Sequence, residues 1–483
     1  MTVVVVGAVL RFATLSTQSF GLDESVTVAL VHRGFSEMLG AIPHTESTPP
    51  LYYILAWGWV RIFGLSEAGL RSLSALCGTA MIPLAFVTAK RVFSPRAGLI
   101  AATLTAVSPW LIWYSQEARA YALFALLSLA SFACFTSALQ SRRPGALGGW
   151  AITSALALAA HYFAVFMVVP EALWLLTRSD ARRRAAIAVA FVGAAGAALL
   201  PLALEQAHGI KGKAGFLQTP LSSRIANIPS RFLLGEAPPA GTKGLLMALA
   251  LVLVLAGTWG LLFGAQGDPG RLGSVAVLLG AVAVLVPIAL AGIGRDYLDA
   301  RNLIGAWPCL VIALAVGYAS IGPRLGALIA AFLAALFLGL VIVAASDETL
   351  WRTEYRGVAA ALGRPPGPGQ RAIVVSPEFN WTPLVHYLPE YPQLPAGNVG
   401  VREIDLIGWV TQTPPPDGAM ALRQRGFRVV ENRAVQKLRL VRLMAVSVTS
   451  ISRAELIRSH LGVSSATVLI QAAPKQVRAL RRR

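Results

Sequence analysis

Charge is what this sequence has least of. Only 13% of its 483 residues are Asp, Glu, Lys or Arg, about half the share in a soluble globular domain. Acids are the scarcer sign, 23 against 42 basic residues, for a formal net charge of +19. There are three cysteines, Cys77, Cys134 and Cys309. All lie inside apolar runs, without metal-ligand spacing or a disulfide pattern, so they read as small buried side chains. No basic stripe interleaved with stacking aromatics occurs, and the positive charge therefore does not point to nucleic acid.

What the chain has in quantity is apolar residues, 55% of the total. They come in long runs and not in the alternating patterns of soluble cores. About 18 apolar residues suffice to cross a bilayer as a helix. Such runs recur from Met1 to about Ala345 and stop after Ser346. The expected fold is thus a polytopic α-helical membrane protein with about eleven transmembrane helices. The candidate spans are roughly 3–20, 69–89, 97–113, 119–139, 146–161, 162–177, 185–205, 243–264, 272–293, 302–320 and 325–345. The first has no basic leader and no clear cleavage site, and reads as a retained helix.

Basic residues collect in short loops: Lys90-Arg91 with Arg96, Arg142-Arg143, Arg178 with Arg182, Arg183 and Arg184, and Arg324. The positive-inside rule places them in the cytoplasm. Each then falls at an even crossing, with the N-terminus inside and the C-terminal part outside. Pro49 to Gly64 tempts a further span. It is short, opens on two prolines, and carries Tyr52, Tyr53, Trp57, Trp59 and Arg61. Such residues favour the headgroup layer, so it reads as a surface helix. Ser25 to Ile42 is a second amphipathic candidate, and 21–68 becomes one large external loop. The domains are therefore 1–345 in the membrane, with external loops 21–68 and 206–242, and 346–483 outside.

This topology gathers the suspicious polar residues on one face. They are Asp23-Glu24, His44, Glu46, Glu117, Arg119, His161, the loop with Lys211, Lys213, Arg224 and Arg231, and Arg295, Asp296, Asp299 and Arg301. Ionisable residues near membrane depth are costly and mark function. Each has a bland alternative. Asp23-Glu24 suits the first turn of a helix as well as a base or metal ligand. Glu46 suits a solvated loop. Glu117 and Arg119 suit an ion pair, although a guanidinium also fits a phosphate. His161 suits a structural helix end, and Arg301 a side chain snorkelling to the interface.

Four stretches, in order, carry a resemblance: FGLDES, TESTPPLYY, SPWLIWYSQEARAY and HYFAVF. Together they resemble the GT-C-type membrane glycosyltransferases, in particular the protein O-mannosyltransferase-like group with its aminoarabinose-transferase relatives. The likeness runs to about Leu176 and continues weakly through YLDARNLIGAWP. It implies a polyprenyl-phosphate-linked sugar as donor and transfer to a lipid, glycan or protein acceptor on the outer face. It implies catalysis around Asp23, with Glu24 continuing the acidic pair, Glu46 before PPLYY and Arg119 in the third motif. Tyr52, Glu117, His161 and Arg301 join them as candidate substrate contacts. The leaving group is already a good one, so a base for the acceptor hydroxyl, Asp23, and cations for the phosphate are the needs. Direct displacement would invert the anomeric centre. Loop 206–242 has the length and charge of a lid. Asp23, Glu24 and Glu46 also fit a divalent metal ion, with none certain.

The 346–483 part reads as small α/β, without a nucleotide fingerprint, and suits binding or gating of an acceptor. A helix is expected over 353–362, strands at 371–376, 427–430 and 438–443, loops at 363–369 and 414–416, and a basic tail from Lys475. It is not the β-trefoil of eukaryotic protein mannosyltransferases, which weakens the case for a protein acceptor. Two alternatives stand beside the enzyme. One is a flippase of a polyprenyl-linked intermediate, against which stands the lack of an internal repeat. The other is a non-catalytic relative.

Overall fold

The computed structural model describes residues 1–483 other than 141–143, 179–181, 211–218, 266, 368, 395, 412–420, 463–464 and 472–483. Two compact units emerge. One comprises Met1–Leu15 and Ala29–Ser346, the other Ser16–Val28 and Asp347–Arg483.

In the first unit, seven helices are long and apolar enough to span a membrane, or eight if one bent pair is a single span. The chain is an integral membrane protein, but the count of eleven is not fixed by it. The helices along 1–140 are α1 (Thr2–Phe12), α2 (Leu22–Val31), which begins in the second unit, α3 (Phe35–Thr45), α4 (Leu51–Phe63), α5 (Glu67–Val92), α6 (Pro95–Val107), α7 (Pro109–Ser115) and α8 (Tyr121–Gln140). They continue with α9 (Pro144–Ala160), α10 (Val165–Arg178), α11 (Arg182–Ile210), α12 (Leu221–Leu234), α13 (Lys243–Trp259), α14 (Gly267–Gly292), α15 (Trp307–Ile321) and α16 (Leu325–Ser346). The short apolar members are Thr2–Phe12, Leu51–Phe63, Gly145–Ala160 and Tyr162–Thr177. Side chains such as Val9, Leu99, Leu204, Leu255, Phe263 and Phe332 are exposed on the bundle. In lipid that is an ordinary outer face, whereas in water it would be an aggregation surface.

Two sequence expectations need correction. The expected first span covers 3–20, but α1 ends at Phe12. Beyond it come Thr14, Ser16, Thr17, Gln18 and Ser19, whose polar groups compete with a helical ladder. The span over 97–113 is broken: α6 and α7 meet at 55°. Pro109 has no N–H for the carbonyl of Thr105, four residues earlier. Arg11, fully buried, supplies the missing donors. Its Nη2 donates to the Thr105 carbonyl and its Nη1 to that of Ala106, each at 2.9 Å. Ser108 caps α7, and its hydroxyl also accepts from the Trp307 indole at 3.0 Å. Gly78 on α5 leaves room for this junction, since a Cβ there would lie 1.9 Å from Ser115 Oγ.

In the second unit a five-stranded sheet has the order β3-β4-β2-β1-β5. The strands are β1 (Arg371–Val375), β2 (Asn398–Trp409), β3 (Arg428–Val435), β4 (Leu438–Ser452) and β5 (Thr467–Ile470). β1 and β2 are parallel, with Arg371 opposite Glu403, and the other pairs are antiparallel. Ala372 and Val374 face one apolar cluster, Ile373 and Val375 the other. This alternation is why RAIVV is buried along its whole length. Helices α17 (Tyr355–Leu362) and α18 (Trp381–Tyr387) cover the second face through Tyr355, Val358 and Leu384.

Candidate active site

Four of the polar candidates of the membrane unit sit at helix ends. Glu46 follows α3, Arg119 lies between α7 and α8, His161 follows α9, and Arg301 precedes α15.

Glu46 and Arg119 form a two-pronged ion pair. Nη1 and Nη2 of Arg119 donate to Oε1 and Oε2 of Glu46, both at 2.7 Å. The side chains are only 9% and 2% exposed. Glu46 is therefore not a solvated loop acid. Tyr53 lies against the pair, its ring centroid 5.7 Å from the guanidinium. Its hydroxyl shares a 2.9 Å hydrogen bond with that of Thr48. Burial pushes the Tyr53 phenol well above its ordinary value, against the opposing charge of Arg119, so it stays neutral. The hydroxyls of Tyr52 and Ser74 are 2.9 Å apart, and Ser74 donates to the Arg119 carbonyl at 3.4 Å. The Gln206 amide, from α11, fastens this segment by donating to the carbonyls of Thr48 and Ile42.

A cluster of aromatic rings continues from Arg119. Tyr121 packs on Tyr114 at 4.8 Å and on His161 at 5.8 Å, and the Arg301 guanidinium stands 5.8 Å from its ring. Arg301 also approaches Asp299 at 3.1 Å and is about a third exposed. The buried His161 ring stacks on Phe124 at 4.8 Å. Its Nδ1 accepts from the Phe163 N–H, which puts the ring proton on Nε2. That Nε2 is buried and makes no hydrogen bond of good geometry among the described residues, although the Asn302 side chain lies close enough to interact with the ring.

Several cations expected to face a substrate are instead bound to acids. Arg224, on α12, donates through Nη1 to Asp296 Oδ1 at 2.9 Å and to the Leu298 carbonyl at 2.6 Å, and through Nη2 to Asp296 Oδ2. The Arg224 hydrogen bonds hold the Asp296 carboxyl below its usual range. Arg231 pairs with Glu236, which also accepts from Tyr114 at 2.5 Å. Lys211 and Lys213 lie outside the described residues, as do Arg142-Arg143, 414–416 and the basic tail.

Asp23 and Glu24 lie in the second unit. Both are in the first turn of α2, where an N-terminus favours negative charge. Their roles separate. Glu24 is 1% exposed and its Oε2 accepts from the Gly21 N–H at 2.9 Å. Gly21 in turn gives its carbonyl to Ser25 N at 3.0 Å, so Glu24 closes its own helix start. Asp23 is half-buried and lies at the second helical position.

Sequence reasoning passed over Glu171. It is fully buried on α10, beside Pro170, and its Oε2 accepts from Ser131 Oγ at 2.5 Å and Trp150 Nε1 at 2.8 Å. The available signal was a lone acid inside an apolar run. Arg11 was missed for the same reason. For a metal ion, no group of three His, Cys, Asp or Glu side chains is suitably placed among the described residues. Both oxygens of Glu46 are already engaged by Arg119.

Residues 47–204 match the family model described as dolichyl-phosphate-mannose-protein mannosyltransferase. Among solved structures, the chain resembles ArnT from Cupriavidus metallidurans in the apo state, with a TM-score of 0.57 and 14% identity over 91% of this chain and 97% of that one. The same protein bound to undecaprenyl phosphate gives 0.58, with the same identity and coverage. The mycobacterial arabinofuranosyltransferase AftD gives 0.50, with 16% identity over 78% of this chain and 29% of that one. No curated protein sequence matches. The chain therefore has the fold of the GT-C-type membrane glycosyltransferases, as its motifs led one to expect.

Proposed function

We propose that this protein is a membrane glycosyltransferase that moves a sugar from a polyprenyl-phosphate donor to an acceptor hydroxyl on the extracytoplasmic side. The observation that carries the reading is a coincidence of two features. The segment matched by the mannosyltransferase model, 47–204, contains Tyr52, Glu117, Arg119 and His161. These residues are buried at helix ends of an otherwise apolar bundle. Burying such groups is expensive without a task to perform.

Asp23 is assigned the base. It takes the proton of the acceptor hydroxyl as that oxygen bonds to the anomeric carbon. The bond from that carbon to the phosphate oxygen breaks, polyprenyl phosphate leaves, and the anomeric centre inverts. Glu24, closing its helix, is a poorer candidate for proton transfer than Asp23. Arg301, partly exposed, and the His161 Nε2–H are assigned to the phosphate. Arg119 holds Glu46 and carries the loop ahead of α4. Any divalent ion would be read from the effect of a chelator on turnover.

The test is transfer of labelled sugar from a panel of polyprenyl-phosphate sugars by the purified protein in lipid. One donor should turn over, with inverted stereochemistry in the product. Movement of the donor across the vesicle without transfer would replace this reading by a flippase.

A further inference from the structure

The segment between α1 and α2 has no regular structure, yet it leads directly to Asp23. The Leu15 carbonyl and Thr14 hydroxyl accept from Arg71 and Gln116, and from Ser16 to Phe20 the polar groups are held by residues of the C-terminal sequence. Glu354 Oε2 accepts from Ser19 N at 3.0 Å, and the Tyr387 hydroxyl accepts from Phe20 N at 2.8 Å. Ser19 Oγ donates to the Thr353 carbonyl at 3.2 Å and accepts from Tyr355 N at 2.9 Å. Gln18 Oε1 accepts from Arg352 N, and Arg356 donates to the carbonyls of Ser16 and Thr17. His386 meets the Phe20 ring edge-on at 5.2 Å.

Three consecutive backbone N–H groups, of Ser19, Phe20 and Gly21, are thus accepted by side chains: Glu354, Tyr387 and Glu24. Glu24 closes the start of α2 from within, while the two residues that lead into it, Ser19 and Phe20, are held by Glu354 and Tyr387. The carboxylate of Asp23 is set three residues beyond Phe20, on the first turn of a helix whose lead-in is fixed from outside.

From this geometry we infer that the C-terminal domain is the positioning device for Asp23, and that Tyr387 and Glu354 are positioning residues for the transfer. The inference rests on the assignment of Asp23 as base. It gives the domain a task distinct from gripping an acceptor. A displacement of about 1 Å in a reacting group costs on the order of a hundredfold in rate.

The experiment compares Tyr387→Phe, Glu354→Gln and Asp23→Asn in the full-length protein in lipid, measuring kcat, donor KM and thermal unfolding. Tyr387→Phe and Glu354→Gln should lose about ten- to a hundredfold in kcat, with donor KM changed by less than about twofold. Unchanged kcat in both, beside an inactive Asp23→Asn, would overturn the positioning role and leave the base in place. An Asp23→Asn variant as active as wild type would sink the base assignment instead. A rise in donor KM that parallels the loss of kcat, with early unfolding, would reduce the contacts to general support and overturn the inference. Amide hydrogen exchange of wild type gives a check that needs no variant. Ser19, Phe20 and Gly21 should exchange as slowly as β1, and loop-like exchange would contradict the proposal.

Discussion

The two units bury charge in different ways. In the membrane unit, buried charges are few, and several sit where a helix is interrupted or ends, with Glu171 the mid-helix exception. Arg11 answers the carbonyls exposed by the break at Pro109, and Arg119 answers Glu46. Lipid has no water to satisfy a stray carbonyl, so an interrupted helix requires a donor from the protein. In the C-terminal unit, charges form one network on the sheet. Arg371 contacts Glu403 and Asp405, while Arg442 contacts Glu403, Asp405 and Glu431. There the neighbouring strands bring opposite charges side by side, and each charge has more than one partner. The membrane unit thus answers its charges with backbone carbonyls, neutral side chains and isolated ion pairs, and the sheet with a shared ionic network.

Removing single partners should break the contrast most visibly. Arg119→Ala leaves Glu46 buried and uncompensated, an expected loss of about 3–5 kcal/mol in stability. Thermal unfolding in detergent would measure it. In a double-mutant cycle, Glu46→Ala with Arg119→Ala should cost less than the two single changes summed. Arg11→Met should cost a comparable amount, since it strands two carbonyls at the α6–α7 break, each worth about 1–3 kcal/mol.

The sheet network should show itself through pH. Burial, with Glu403 beside it, pushes Asp405 up to about 7. Between its ordinary value of 3.8 and about 7, the native state holds a proton that the unfolded chain has lost. Stability of this unit should therefore fall as pH rises through that window. Asp405→Asn should flatten the slope, which unfolding at pH 5 and pH 8 would test. The smallest effect is expected at the helix over Arg453–Arg458, whose start is a reciprocal cap between Ser452 and Glu455. Ser452→Ala should cost about 1 kcal/mol. Bonds from Ser452 hold Glu455 down to about 2, so this contribution is present above its usual value and fades as pH falls toward 2.

How far the sequence could be read follows the same division. The apolar runs located the membrane helices because their signal is long and continuous. The break at Ser108 was hidden, since the run SPWLIW stays apolar across it. In the C-terminal part, β1 and β4 were legible from their Val and Leu, but β2 was not. Its VREID core carries three charges, two of which, Glu403 and Asp405, become acceptable only beside Arg371 and Arg442. Pairing between distant segments has no local signature. The same holds for the site. Motif order singled out Glu46 and Arg119, but their pairing across 73 positions needed the fold. The Asp23-Glu24 dipeptide looked like one acidic pair until Gly21 N separated the two roles.

The most direct test is the single-turnover rate of sugar transfer by Asp23→Asn beside wild type, with binding of the polyprenyl-phosphate donor measured on the same preparations. A loss of at least about a hundredfold in rate with donor binding retained is the predicted result. Turnover at the wild-type rate would contradict the account and move the base away from Asp23.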